Sequence, residues 1–122
     1  MVTGSRMLDK KKAIKGGMPM YKFVGNIILS KIFNFTCKTS FTDAHTGLWG
    51  YNLNIFNHIN LNKIDSAINF DSHLRIIAAN HGFKIKEIPI KTFYRTEKSS
   101  WHFIYSFNFL KHLLINIFRR IE

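Results

Sequence analysis

"FDSHLRIIAANHGFKIKEIPI", residues 70 to 90, sets the two halves of an α/β unit side by side. Leu74, Ile77 and Ala78 recur at helical spacing and share one face of a helix within residues 68 to 83. The His81-Gly82 step supplies its end, because glycine accepts the left-handed conformation that closes many helices. The period then changes. In KIKEIPI, Ile85, Ile88 and Ile90 alternate imperfectly with Lys84, Lys86 and Glu87, as expected of a strand. Pro89 has no N–H to give a neighbouring strand, so this strand is confined to a sheet edge or ends at Pro89. A helix followed at once by a strand implies an α/β layer.

Upstream, "FTDAHTGLWGY", residues 41 to 51, mixes charge with aromatic rings. A buried strand has no use for Asp43 and His45 together, and a plain surface turn has none for Phe41, Leu48, Trp49 and Tyr51. The combination fits the wall of a site. From Met20 the pattern is helical: Phe23, Val24, Ile27, Ile28, Ile32 and Phe35 form an apolar face, while Lys22, Asn26 and Ser30 keep to another side. Residues 7 to 19, with four lysines, Gly16-Gly17 and Pro19, read as a loop, and residues 2 to 6 as the end of a strand.

Downstream, residues 101 to 122 place Phe103, Phe107, Leu110, Leu114, Ile117 and Ile121 in one stripe, opposite Asn108, Lys111, His112, Asn116, Arg119 and Arg120. Lys111 and His112 interrupt the roughly 20 apolar residues that a membrane span needs. The pattern fits an amphipathic helix lying in a bilayer interface, with packing of the stripe on the domain's own core as the alternative.

The 122 residues suffice for one domain with a modest core. Eighteen Lys and Arg against seven Asp and Glu leave a net charge of +11, which favours an anionic partner: nucleic acid, anionic lipid or a phosphorylated substrate. Cys37 is the only cysteine, so an internal disulfide and a cysteine zinc site are excluded and a reducing compartment is expected. Arg6, Asp9 and Lys10 to Lys12, with no apolar stretch behind them, do not read as a signal peptide.

The order of GSR at 4 to 6, GGMP at 16 to 19, Asn26, TDAHTGLWGY at 42 to 51, FDSHL at 70 to 74, HGFKIKEIPI at 81 to 90 and YRTEKSS at 94 to 100 resembles the C-terminal half of a family-2 glycosyltransferase. The similarity is to the dolichol-phosphate or polyprenol-phosphate sugar transferase kind, and runs from about Val2 to Ser100. The resemblance implies an incomplete nucleotide-diphospho-sugar transferase fold, the second half only: an acceptor-side domain over residues 1 to 100 and an amphipathic, membrane-interface helix over 101 to 122. In the family, a first half holds the nucleotide and a divalent metal, Mg or Mn, through an Asp-x-Asp motif. Here the aspartates are Asp9, Asp43, Asp65 and Asp71, no two of them one residue apart, so those ligands are not expected in this chain.

By the resemblance, Arg6 and Lys22 lie near phosphates, and Asp43 opens an Asp-x-x-Thr-Gly motif as the catalytic carboxylate that orients the acceptor or takes its proton. His45 is a wall residue rather than a metal ligand, and Thr46 and Gly47 let the backbone approach a ligand. Arg95, Lys98 and Ser99 belong to a loop that closes over donor and acceptor phosphates. Trp49 and His73 depart from the family pattern, which usually has Arg and Glu or Gln there. The implied activity is transfer of a hexose from a nucleotide sugar to polyprenyl phosphate or a cell-envelope glycan, at the cytoplasmic face of a membrane, by a peripheral protein. Without the nucleotide half the chain is expected to be inactive alone: a truncated gene, a fragment, or one piece of a split enzyme whose partner chain supplies that half. The rival reading is a basic membrane-surface or nucleic-acid binding module without catalysis; nucleic acid is the less expected partner, since no helix combines a dense Arg/Lys face with aromatics spaced for base stacking.

Overall fold

The computed structural model describes residues 1–64 and 70–95, together with residues 107, 108, 110, 111, 113–115 and 118. Its centre is a three-stranded sheet in which β1 (Val2–Ser5) lies between β2 (Trp49–Gly50) and β3 (Lys86–Pro89). β1 and β3 are parallel, with Val2 opposite Lys86 and Ser5 opposite Pro89; β1 and β2 are antiparallel, with Thr3 opposite Trp49. A parallel pair needs a long crossover, and the helices between β1 and β3 provide it. β3 is an outer strand and Pro89 its last residue. The backbone N–H groups of Lys86 and Ile90 donate to Met1 and Ser5, so Pro89, of the opposite parity, withholds a donor only from the outer edge.

The stretch expected as a loop at 7 to 19 contains a short helix, α1 (Lys10–Lys15). Its lysine run hides a start signal: the Asp9 carboxylate accepts from the Lys12 N–H at 3.2 Å and caps the first turn. Gly17 then turns the chain at φ 84°. At Gly16 a Cβ atom would stand 2.3 Å from the Thr92 carbonyl oxygen, so the segment after β3 packs directly on this turn. The Tyr94 N–H donates to the Gly16 carbonyl at 2.9 Å.

Helix α2 (Met20–Cys37) splits the apolar face expected for it: Phe23, Ile27 and Ile32 pack against the core clusters, whereas Val24, Ile28 and Phe35 do not. It buries Asn26, Ser30, Phe33, Thr36 and Cys37, while Met20, Tyr21, Val24, Ile28 and Phe35 are exposed. The polar side is inward because it supplies hydrogen bonds that the interior needs. Lys38, left-handed at φ 53°, ends the helix, and Asn34 fastens the exit: its Nδ2 donates to the Phe41 carbonyl and its Oδ1 accepts from the Phe41 N–H, both at 2.8 Å. Two 3-10 turns follow, Leu53–Asn57 and Leu61–Lys63, each started by an asparagine that accepts from the N–H two residues on. α3 (Phe70–Asn80) ends before Gly82, which adopts φ 70° as its position after the helix implies.

Phe33, Cys37, Phe41, Ala44, Ile76 and Leu113 form the main core cluster; Ile55, Ile59, Ile64, Leu74 and Ala78 form a second beside it. The described residues between 107 and 118 are helical. Their fully buried member is Leu113, whereas Phe107 and Leu114 of the expected apolar stripe are exposed, Phe107 to 70%. Leu110 of the same stripe is half-buried, and Phe103, Ile117 and Ile121 lie outside the described residues. Among the described residues no helix is long and apolar enough to cross a membrane.

Candidate functional site

The 41–51 loop is held from three sides by groups that no local pattern pairs with it. Asp43 lies at its centre with no exposed surface. Its Oδ2 accepts from Arg6 Nε at 2.7 Å and from the Arg6 backbone N–H at 3.0 Å; its Oδ1 accepts from Arg6 Nη2 at 2.9 Å and Asn26 Nδ2 at 2.8 Å. Burial alone would push this carboxyl up, but the hydrogen bonds and charge of Arg6, aided by Asn26, outweigh it and hold Asp43 below the ordinary carboxylate range. Arg6, pulled down by burial and raised more strongly by Asp43, stays cationic. The two-pronged geometry fixes the guanidinium plane as well as its charge.

Behind Asp43 the network continues into the helix and the sheet. Ser30 Oγ donates to Asn26 Oδ1 at 3.1 Å and accepts from the Ala44 N–H at 3.0 Å. From β3, Glu87 accepts from the Thr42 N–H at 2.9 Å, the Thr42 hydroxyl at 2.9 Å and the Asp43 N–H at 3.2 Å. The Ser5 and Thr42 hydroxyls lie 2.6 Å apart. This is why α2 presents its polar side inward: a buried carboxylate and the loop's N–H groups must all find partners.

A second arginine, which the sequence patterns did not single out, completes the frame. Arg75 of α3 is 2% exposed; its Nη1 donates to the Ala44 carbonyl and its Nη2 to the Thr46 carbonyl, each at 2.5 Å, and Nη2 also meets Asp71 at 2.6 Å. Its guanidinium lies over the Trp49 ring, 4.6 Å from the centroid, and Trp49 Nε1 donates to the Thr46 carbonyl at 2.9 Å. Arg6 Nη2 donates to the His45 carbonyl at 3.2 Å. The carbonyls of Ala44, His45 and Thr46 thus accept in succession from two guanidinium groups. Between them the His45 imidazole is neutral: burial, then Arg75, then Arg6 push its pKa down to about 4. The signals for Arg75 were Asp71 four residues before it and a charge on an otherwise apolar helix face. Its targets are backbone carbonyls, which carry no sequence signal.

Of the residues expected at a site, Arg6, Asp43, His45 and Thr46 converge here. Lys22 joins through Tyr94: its Nζ stands 5.5 Å from the Tyr94 ring centroid, and the Tyr94 hydroxyl accepts from Arg6 Nη1 at 3.3 Å. Thr46 is buried, its carbonyl shared by Arg75 and Trp49. Gly47 is exposed, and a Cβ there would meet nothing within 4 Å. Arg95 follows Tyr94 and is exposed, while Lys98 and Ser99 lie outside the described residues.

Arg6 is also the inner wall of a cavity of about 290 Å³. Lys12 and Lys15 of α1 and Lys91 line the same space, with Ile90 and Phe93 as its apolar part. Among the described residues, the contacts above occupy four of the five guanidinium donors of Arg6. The arrangement presents a fixed cation, three ammonium groups, of which that of Lys12 also stands 3.4 Å from the Asp9 carboxylate, and an apolar lip to one volume, which suits an anionic headgroup on a greasy tail. No three His, Cys, Asp or Glu side chains form a metal-ligand set among the described residues, and the oxygens of Asp43 are taken by Arg6 and Asn26. The residues described do not fit a divalent cation.

No protein-family model matches the chain, and no solved structure matches it. Over 94 residues it is 34% identical to an uncharacterized protein, MJ1222, of Methanocaldococcus jannaschii. The similar stretch covers 77% of this chain and 38% of that protein, so the chain spans well under half the length of this relative.

Proposed function

We propose that the chain forms the acceptor side of a membrane-associated family-2 glycosyltransferase, which receives a polyprenyl phosphate and presents it for transfer of a hexose from a nucleotide sugar. The observation that carries this reading is the cavity in which Arg6, locked by Asp43, faces Lys12, Lys15 and Lys91 beside the apolar Ile90 and Phe93. In such a transfer a phosphate oxygen of the lipid forms a bond to the anomeric carbon as the bond from that carbon to the nucleoside diphosphate breaks. Several negative charges then crowd together, and positioned cations offset their repulsion. The attacking phosphate is already ionised, so no base is needed, and Asp43 acts by orienting Arg6. His45, neutral, adds no charge behind Arg6, to which it gives its backbone carbonyl. The donor nucleotide, and the Mg or Mn that the family resemblance implies, fall to residues other than those described, and no step here runs through them.

Calorimetric titration with a soluble short-chain isoprenyl phosphate tests the proposal. Binding is expected for the phosphate and not for the matching alcohol. Lys12→Gln with Lys15→Gln weakens it by about tenfold or more, since a hydrogen bond to a charged group contributes roughly 1.5–3 kcal/mol. Equal affinity for phosphate and alcohol, or no change in the double variant, would overturn the assignment. Labelled nucleotide sugar and polyprenyl phosphate are expected to give no lipid-linked product with this chain alone.

A further inference from the structure

The outward face of α2 carries an apolar stripe interrupted by Lys31. Tyr21, Val24, Ile28 and Phe35 stand on it, spaced three, four and seven residues apart, and Phe35 is 87% exposed. The one charged position within the stripe is Lys31, Lys38 stands just past its end, and the helix contains no acidic residue. A soluble surface helix places its polar side outward; this one cannot, because Asn26 and Ser30 are committed to the Asp43 network. Leu113 belongs to the same core cluster as Phe33 and Cys37 of α2. The segment around Leu113 also turns Phe107, Leu114 and Phe118 outward, with Lys111 exposed among them.

We infer that the outward stripe of α2 is a membrane-seating face that takes an anionic lipid bilayer surface. The occupant follows from charge and chemistry. Aromatic and aliphatic side chains suit the boundary between headgroups and acyl chains, and the accompanying charges are all lysines, which match anionic headgroups. A protein partner core would gain nothing from Lys31 in the middle of the stripe, whereas a long lysine stem can lie along a membrane boundary with its ammonium in the headgroup layer. The inference rests on the membrane association in the proposed function and extends it: the helix that seats on lipid is the one whose opposite side holds Asp43.

Vesicle flotation is the test, using phosphatidylcholine vesicles with and without phosphatidylglycerol and no isoprenyl phosphate. The native chain is expected to float with the anionic vesicles. Ile28→Gln with Phe35→Gln, which keeps the net charge and alters only exposed positions, lowers the partition coefficient by about tenfold or more, since two apolar side chains leave the interface. Leu53→Gln, exposed but away from α2, leaves it unchanged. Failure of the native chain to float, binding by the double variant within about twofold of native, or an equal loss in the Leu53 variant overturns the inference. So does a lipid-free dimer that the double variant abolishes, because a second copy would then cover the face. An environment-sensitive dye on Phe35→Cys, in a Cys37→Ala background, gives an independent reading: a blue shift with anionic vesicles supports the seat and no shift overturns it. Because these vesicles carry no isoprenyl phosphate, and the cavity is titrated separately in solution, failure of either proposal is distinguishable from failure of the other.

Discussion

Replacing Asp43 with asparagine probes the joint on which the site depends. The substitution keeps the size of the side chain and removes the charge that faces Arg6 at 2.7 and 2.9 Å. Breaking one side of a buried ion pair costs roughly 3–5 kcal/mol; Arg6 retains 20% exposure and some hydration, which puts the expected loss at the low end, about 3 kcal/mol. At an unfolding entropy of about 2.1 cal/mol/K per residue, that loss lowers the melting temperature of 122 residues by roughly 12 °C. The effect has a pH signature. The carboxyl of Asp43 is depressed in the folded state, so its contribution is fully present above the unfolded pKa, about 3.9, and disappears as pH falls through the lower folded value. Thermal melts followed by circular dichroism at pH 7 and in steps below pH 4 should show a wide gap between native and Asp43→Asn chains that narrows in acid. A gap under about 3 °C at pH 7, or one unchanged at pH 2, would refute the claim that this pair locks the loop.

The other predictions concern the same frame. His45 is neutral when folded but takes up a proton near pH 6.5 when unfolded, so stability declines as pH falls from 6.5 towards 4; between pH 7 and pH 5 the loss is about 2 kcal/mol, and urea titrations of His45→Gln should lack it. Arg75→Met leaves the Ala44 carbonyl without its Arg75 donor and the Thr46 carbonyl with Trp49 Nε1 alone, for a loss of roughly 1–3 kcal/mol, and the emission of Trp49, on which Arg75 lies, should change with it. Gly16→Ala forces a Cβ into the Thr92 carbonyl and destabilises by about 1–3 kcal/mol, whereas Gly47→Ala, with open space, should melt within about 0.5 kcal/mol of native.

The order of elements was legible from residues alone where a single period or a special residue decides. Helix α3, its stop at Gly82 and the strand ending at Pro89 need only the switch of spacing between residues 70 and 90. Asp43 and His45 were also visible as chemistry out of place among apolar neighbours, whereas Arg6 was reached only through the family resemblance. Helix α1 was hidden because four lysines resemble a solvated loop, and one capping bond from Asp9 outweighs that impression.

Tertiary structure decided which side of α2 is the inside. Periodicity locates an apolar face but assumes that burial of apolar area outweighs everything else. Here Asp43, Arg6 and the loop's N–H groups are buried by the sheet, and an unsatisfied buried polar group costs as much as an apolar side chain gains. Asn26 and Ser30 therefore face inward, and the apolar face is divided, with Phe23, Ile27 and Ile32 packed inside and Val24, Ile28 and Phe35 outside. Arg75 was out of reach for a related reason: its partners are the carbonyls of Ala44 and Thr46, 31 and 29 residues away in sequence, and any residue type presents the same carbonyl. Sequence alone determined the elements and the unusual charges; long-range hydrogen bonding to the backbone determined how they face one another.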